Sequence, residues 1–435
     1  MADVKLPTPK PVTLEQGSDA QRLDTQVQPG SSGLQRTFAA LRHPNYRLWF
    51  RGQLVSMIGT WMQTSAQGFL VFQLTHSTAY LGYVGFAAGV PSLLFMLFGG
   101  VIADRVARRK LLVITQSTMM LLAFILAALT FLHVVQPWHI VLLALGLGTA
   151  NAFDAPAGQA FVLELVDRED LTNAIALNSS LMNLATVVGP TVAGLTYAAF
   201  GPAWCFTLNG LSFVAVIAAL LRMHLPAHVA APRTQSALAQ LKEGVRYTLA
   251  DPLLRLLIIV PAVAVLFSAI YATLLPAWAV EVLHGNATTN GLLQSARGIG
   301  SLLGALMIAA LAHFGWRGRW LTAGMFVYPL MLLVLATVRT LPLSIVALAG
   351  VGWGGMVLYN MANTLLQVHV PDALRGRVMS IYSMIMFGGI PLGALWAGQV
   401  ARVIGPPRTI MFSAVVSLVS AMLFWILAPQ VRRLV

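Results

Sequence analysis

The chain has 435 residues, 57% of them hydrophobic and only 9% charged, and a mean hydropathy of +0.77. A soluble domain carries roughly 25% charged residues, so a water-soluble globular fold is excluded and the chain reads as an integral membrane protein. The net charge of +13 does not imply nucleic acid, because no soluble surface remains on which basic residues could cluster.

In chain order, residues 1 to 45 are polar, rich in Pro, Gln, Ser and Gly, and lack the apolar stretch of a secretory signal. They read as a disordered tail, leaving targeting to the first membrane helix. A bilayer core of about 30 Å needs roughly 20 apolar helical residues, and twelve such runs follow. They cover 48 to 74, 79 to 103, 111 to 134, 138 to 163, 174 to 199, 202 to 224, 253 to 280, 289 to 313, 320 to 338, 341 to 368, 378 to 403 and 407 to 428. The polar stretch 225 to 251 divides six spans from six and contains an amphipathic pattern from Ser236 to Leu249. The expected organisation is therefore a six-helix half over 46–224, a linker over 225–251, a second half over 252–429 and a short tail over 430–435. The single cysteine, Cys205, allows no intrachain disulfide.

Sorted by loop, 23 of the 27 Lys and Arg residues fall on the side that holds the N-terminus. Arg339, Arg402 and Arg408 fall on the other, and Arg297 alone lies within a span. The positive-inside rule then predicts that both termini are cytoplasmic. Shifting the second half back by 209 positions lays Gly291 on Gly82, Ala296 on Ala87, Gly298 on Gly89, Asn360 on Asn151 and Asn363 on Asp154. Six spans return the chain to its starting side, so such a repeat is parallel, the architecture of one large transporter class.

The stretch GGVIADRVARRK, residues 99 to 110, packs five charges into its last seven positions. Topological anchoring accounts for Arg108, Arg109 and Lys110, but not for Asp104, because a carboxylate beside the membrane is costly unless paired. This pattern resembles the loop between the second and third helices of the major facilitator superfamily, and the resemblance spans residues 38 to 429. It implies an all-α fold of twelve transmembrane helices in two parallel six-helix repeats. It also implies a locking role for Gly100, Asp104, Arg105 and Arg109, with Ala107 where the family usually has Gly. The stretches RHPNYRLWFRGQLVSMIGTWMQTSAQGFLVFQLT, LVDREDLTNAIALNSSLMNLATVVGPTVAG and VPDALRGRVMSIYS are similar to the bacterial subgroup of enterobactin exporters and multidrug or macrolide efflux carriers. Gly189, Pro190 and Gly194 resemble the exporter families' helix-packing signature, although Ala185 and Thr186 replace its earlier glycine.

Few ionisable groups fall inside spans. Asp154 in NAFDAPAGQAF is the clearest, with Asn151 one turn earlier. Burying an unpaired carboxylate is expensive, which makes it a candidate proton carrier; the competing reading is a hydrogen-bond node at the kink of Pro156. Related exporters often carry Arg where this chain has Gly158. Arg297 cannot usefully deprotonate, so it must face a water-filled cavity or pair with a carboxylate, and Asp154 is the expected partner. Glu164 and Glu281, nearer helix ends, read as solvated termini, Glu281 with the option of lining an outer vestibule. Gln63 and Gln67 on the first span are read equally as helix-to-helix bonds or as substrate contacts. Tyr271, Asn360 and Asn363 suit an amphipathic ligand.

No phosphate-binding loop, HExxH or cysteine cluster occurs, so no cofactor, no metal and no enzymatic activity is expected. The reading is a secondary transporter in a bacterial inner membrane that exchanges protons for a small amphipathic molecule such as a drug or siderophore. A facilitator or importer on the same fold, or a membrane sensor or scaffold that moves nothing, are the alternatives. The expected partners are substrate, protons and the bilayer; the oligomeric state stays open, a monomer being admissible.

Overall fold

A computed structural model describes residues 38–223, 237–268, 270–311 and 316–429, with backbone alone at 96–105, 237–243, 268 and 373. The first half consists of α1 (Pro44–Thr75), α2 (Thr78–Arg105), α3 (Arg108–Phe131), α4 (Pro137–Leu165), α5 (Leu171–Phe200) and α6 (Pro202–Arg222). A linker helix, α7 (Ala237–Ala250), follows. The second half consists of α8 (Pro252–Val282), α9 (Ala287–Ala310), α10 (Arg317–Thr337), α11 (Leu341–His369), α12 (Asp372–Ile404) and α13 (Pro406–Leu427). These twelve long helices match the twelve predicted spans, with ends moved by a few residues.

Eleven of the twelve are long and apolar enough to cross a membrane by composition. The exception is α1, which carries Gln53, Ser56, Gln63, Ser65 and Gln67 and buries all five against its neighbours. Its polarity is satisfied inside the bundle rather than presented to lipid. The boundaries follow local chemistry. Proline opens α1, α4, α6 and α13 at the first helical position, where its missing N–H costs no hydrogen bond. Left-handed His76 (φ 48°) ends α1, and Gly201 (φ 88°) separates α5 from α6.

Residues 38 to 45 are not part of the predicted disordered tail. The Ala40 N–H donates to Asn173 Oδ1 at 2.9 Å, His43 Nε2 meets Asp170 Oδ2 at 2.9 Å, and the Tyr46 hydroxyl donates to the Ala174 carbonyl at 2.9 Å. These bonds fasten the entry of α1 to the start of α5. The remainder of the predicted tail, the C-terminal tail and most of the linker before α7 lie outside the described residues.

Within the first half, α2 packs on α4, and α1 and α3 pack on α6; in the second, α9 and α10 pack on α11, and α10 on α13. The halves meet where α2 lies against α12 and α5 against α9. Each contact joins the second helix of one half to the fifth of the other, as a two-fold relation requires. We call the end bearing α7 the near end and the opposite one the far end.

Backbone landmarks correct the repeat register. His76 and His284 are 208 positions apart and end the first helix of each half, whereas Gly201 and Gly405 are only 204 apart and follow the fifth. A Cβ on Gly148 would strike the Ala88 carbonyl, and one on Gly352 the Arg297 carbonyl. Gly148 therefore corresponds to Gly352, and Ala88 to Arg297. The shift arises because α10, with 21 residues, is three shorter than α3, with 24, and the α10–α11 connection (338–340) is two shorter than the α3–α4 connection (132–136). Asp154 consequently corresponds to Leu358 and Asn151 to Gly355, not to Asn363 and Asn360.

Candidate functional site

At mid-depth in the second half a cavity of about 570 Å³ opens between α8, α9, α10, α11 and α12, lined by Tyr271, Arg297, Ser301, Tyr328, Tyr359, Asn360, Asn363 and Tyr382 among others. Val265, Val351, Met356, Met386, Phe387 and Ile390 supply an apolar wall. This combination of apolar surface with a few convergent polar groups is the usual make-up of a small-molecule site.

Helix α8 is irregular where it borders the cavity. Its helical hydrogen bonding widens to π geometry over Ala264–Ser268 and again over Trp278–Val282, with Pro261 and Pro276 close by. Proline removes a backbone donor and clashes with the preceding turn, and π-turns recur at functional sites. Here the irregular turns flank Tyr271, which the cavity exposes on one side.

Tyr271, Asn360, Asn363 and Arg297 thus meet at one cavity, as candidates for a common site must. Asn360 Nδ2 donates to the Met356 carbonyl at 3.1 Å, and Asn363 Oδ1 accepts from Gln367 Nε2 at 2.5 Å. Reading the sequence missed Tyr328, Tyr359 and Tyr382. The available signal was their depth, because tyrosine in membrane helices favours the interface, and these lie near mid-helix.

Gln63 and Gln67 are buried within the first half and do not line the cavity of the second half. Gln63, 3% exposed, accepts from Asn209 Nδ2 at 2.8 Å, and Gln67, 6% exposed, donates to the Ile140 carbonyl at 3.5 Å. Both join α1 to neighbouring helices of its own half. Asn151 is exposed.

The predicted pairing of Asp154 with Arg297 does not occur. Asp154 turns toward α3, where Oδ1 accepts from Thr115 Oγ1 at 2.6 Å and both carboxylate oxygens accept from Gln116 Nε2 at 3.1 Å. Arg297 lies over the Trp61 ring, 5.8 Å from its centroid, beside Tyr271. The reason is rotational: Asp154 occupies the face of α4 that packs on α3, while Arg297 occupies the cavity face of α9. Among the described residues, buried Gln116 Oε1 has no hydrogen-bond partner.

The predicted switch residues lie at the near end. Gly100, Asp104 and Arg105 sit in the last turns of α2, their side chains outside the described residues. Arg109 donates to the Leu221 carbonyl at 2.7 Å. Arg108 pairs with Glu164 at 2.6 Å and also reaches the Ala160 carbonyl at 3.3 Å. Glu164 is therefore an ion-pair partner joining α3 to α4 rather than a solvated terminus.

The far end is sealed between the halves. Thr78 Oγ1 donates to the Gly398 carbonyl at 3.0 Å, Thr288 Oγ1 to the Gly194 carbonyl at 3.2 Å, and Thr191 Oγ1 to Ser295 Oγ at 2.8 Å. Small residues make this approach possible. A Cβ on Gly194 would lie 2.8 Å from the Ala287 carbonyl oxygen, and one on Gly291 would strike the Pro190 carbonyl. Gly189 similarly admits Trp61, whose Cβ would be 2.5 Å from a Cβ placed there. Gly189, Pro190 and Gly194 accordingly sit in helix packing. Beyond the seal a second cavity, about 640 Å³, is lined by His76, Tyr80, Tyr83, Glu281 and Arg402, so Glu281 borders a cavity at the far end.

Comparison with known proteins fits this geometry. The family model described as transmembrane secretion effector matches residues 35–432. The staphyloferrin A transporter of Staphylococcus aureus is 24% identical over 387 residues, covering 89% of this chain and 97% of that protein. The enterobactin exporter EntS of Shigella flexneri is 28% identical over 404 residues, covering 90% and 93%. Among solved structures, the nucleoside transporter NupG (D323A mutant) matches with a TM-score of 0.71 at 15% identity, covering 88% of this chain and 99% of that one. A bacterial homolog of the human lysosomal transporter Spinster, inward-facing and occupied, matches with a TM-score of 0.69 at 14% identity, covering 92% and 98%.

Proposed function

Because the chain belongs to the transmembrane secretion effector family of major facilitator transporters, we propose that it is a proton-coupled exporter of a small amphipathic molecule, siderophore-like in class. In this reading it works in a bacterial inner membrane with both termini in the cytoplasm. The observation that carries it is the cavity of about 570 Å³ placed on the near side of a sealed far end. A carrier with access to one side only has the form that alternating access requires. The enterobactin exporter and the staphyloferrin A transporter, each matched over about nine-tenths of this chain, support export and the siderophore class.

Asp154 carries the proton in this reading. Its carboxylate has two neutral donors, Thr115 and Gln116, and among the described residues no cation. Gln116 offers a device for both protonation states. While Asp154 is charged, the amide nitrogen donates to it and Oε1 stays unpaired. Once Asp154 is protonated, rotation of the amide brings Oε1 round to accept from the acid O–H. The same pair thus satisfies either state without helix movement. One proton moving through 100 mV supplies about 2.3 kcal/mol and one pH unit adds about 1.36 kcal/mol. Together, about 3.7 kcal/mol supports a gradient of a few hundredfold.

The test is proton flux in everted vesicles on addition of catecholate or carboxylate siderophores or amphipathic dyes. Flux that appears with a transported compound and collapses with a protonophore supports antiport. Transport without flux favours a facilitator or importer, with Asp154 a packing node, a reading that its bonds to α3 also permit.

Two further outcomes are expected. With Cys205→Ala as background, cysteines at Ser77 and Gln136 label in intact cells with an impermeant thiol reagent, whereas cysteines at Ala107 and Ala239 do not; the reverse pattern would invert the orientation. Asp104→Asn keeps shape and hydrogen bonding but removes charge, so transport should fall about tenfold, the effect of an interaction worth about 1.4 kcal/mol, with the folded amount unchanged. Transport near wild type would remove Asp104 from the switch.

A further inference from the structure

Among the described residues Arg297 is the one guanidinium on the wall of the mid-depth cavity, and no Asp or Glu lines that cavity or pairs with it. Its buried Nε has no hydrogen-bond partner. A permanently charged group in a span needs a counter-charge or water, yet its neighbours are the Trp61 ring at 5.8 Å and Tyr271. Both are neutral, and an aromatic face offsets only part of the charge.

The side chain is also held in place. The Arg297 carbonyl abuts Gly352 of α11, and a Cβ on the adjacent Gly298 would stand 2.8 Å from the Thr186 carbonyl oxygen of α5. A rigid backbone therefore fixes where the guanidinium enters the cavity. The corresponding position of the first half is Ala88, so the charge belongs to one half only. A planar guanidinium whose Nε–H has no partner matches a carboxylate, or a pair of ionised phenolic oxygens, through two parallel hydrogen bonds from Nε and the neighbouring Nη. The wall of Met356, Met386, Phe387 and Ile390 then suits an apolar body attached to that head.

Resting on the reading of this cavity as the substrate site, we propose that Arg297 binds the anionic head of an amphipathic substrate. The cavity selects amphipathic anions over cations of the same size and shape. Trp61 reaches Arg297 from the other half, so the bound anion sits where the two halves touch.

The experiment uses two xanthene dyes of matched shape, carboxyfluorescein as the anion and rhodamine 6G as the cation. Fluorescence polarisation is read with the full chain in phosphatidylcholine nanodiscs, after subtraction of empty discs. The wild type should bind carboxyfluorescein at least tenfold more tightly than rhodamine 6G. Arg297→Gln should weaken carboxyfluorescein about tenfold or more and narrow or invert the preference. Arg297→Lys, which keeps the charge but not the fork, should fall between. Arg402→Gln, at an exposed position of the far-end cavity, should leave binding unchanged. Failure of the wild type to bind carboxyfluorescein, a preference for rhodamine 6G, or equal binding by folded Arg297→Gln and Arg297→Lys proteins and the wild type would each overturn the proposal. No gradient enters this measurement. Anion binding through Arg297 in a protein that moves nothing in proteoliposomes would overturn export and leave the anion site, whereas uphill export of rhodamine 6G unimpaired by Arg297→Gln would do the reverse.

Discussion

Asp154→Asn is expected to abolish uphill, proton-driven export while leaving downhill exchange of substrate measurable. The asparagine is close to the same size and still accepts from Thr115 Oγ1, which lies 2.6 Å from Oδ1 in the wild type. Its other atom becomes an amide that can donate to Gln116 Oε1, which is otherwise unpaired. The α3–α4 packing therefore survives, and only the exchangeable proton is lost. The substrate cavity lies in the other half and includes no atom of Asp154, so binding should change less than threefold. A gradient lost to coupling alone amounts to the few hundredfold set by one proton and about 3.7 kcal/mol. Asp154→Glu should keep part of the coupled activity with a displaced pH optimum, and Gln116→Leu should displace that optimum too, since it removes the amide that serves both protonation states. Proteoliposomes with imposed pH gradients of either sign provide the measurement. If Asp154→Asn still concentrates substrate in a protonophore-sensitive way, the proton travels elsewhere.

How much of this was legible beforehand differs by kind of feature. The spans were readable because crossing lipid requires about 20 apolar residues in a row, a local property of the sequence. The linker helix was readable from its amphipathic spacing. The partners of Asp154 were not, because Thr115 and Gln116 lie on a different helix and no spacing in one sequence ties them to residue 154. Arg297 is legible as a charge in a span, but its surroundings are not, since Asp154, the carboxylate most clearly inside a span, turns to Thr115 and Gln116 instead. The repeat register failed after the third helix for a similar reason. Glycine and asparagine recur often enough in apolar sequence that an offset of 209 matches by chance in the fourth helix, while the true offset has already fallen to 204 through the shorter α10 and the shorter 338–340 connection. The twin contacts of Gly148 with Ala88 and Gly352 with Arg297 fix it in the fourth helix, in line with the spacing of Gly201 and Gly405. Gln63 and Gln67 likewise find their partners in Asn209 and Ile140, which are distant in the chain.

Replacing Gly398 by leucine should force the far end open. Gly398 faces Gly82 across the α2–α12 contact: a Cβ on Gly398 would stand 2.7 Å from the Thr78 carbonyl oxygen and 2.8 Å from Gly82 Cα, both backbone atoms. Neither neighbour can yield by changing rotamer, so the two helices must separate. Overpacking of this kind costs about 1–3 kcal/mol, and states of a carrier differ by only a few kcal/mol, so the cost is enough to shift the population about tenfold or more toward a far-open form. Separation at α2–α12 leaves each half intact, because the contacts within the halves run through other faces. The readout is a cysteine placed at Ser295, 4% exposed on the α5–α9 seam, in a Cys205→Ala background. Its labelling by an impermeant thiol reagent added on the far side should rise about tenfold in Gly398→Leu, in proportion to that population. A cysteine at Ala347, 1% exposed inside the second half, should stay unlabelled, which separates opening from unfolding. Transport should fall in parallel, because a carrier held open on one side cannot cycle. Unchanged labelling at Ser295 together with normal transport would mean that the glycine contact does not seal the far end.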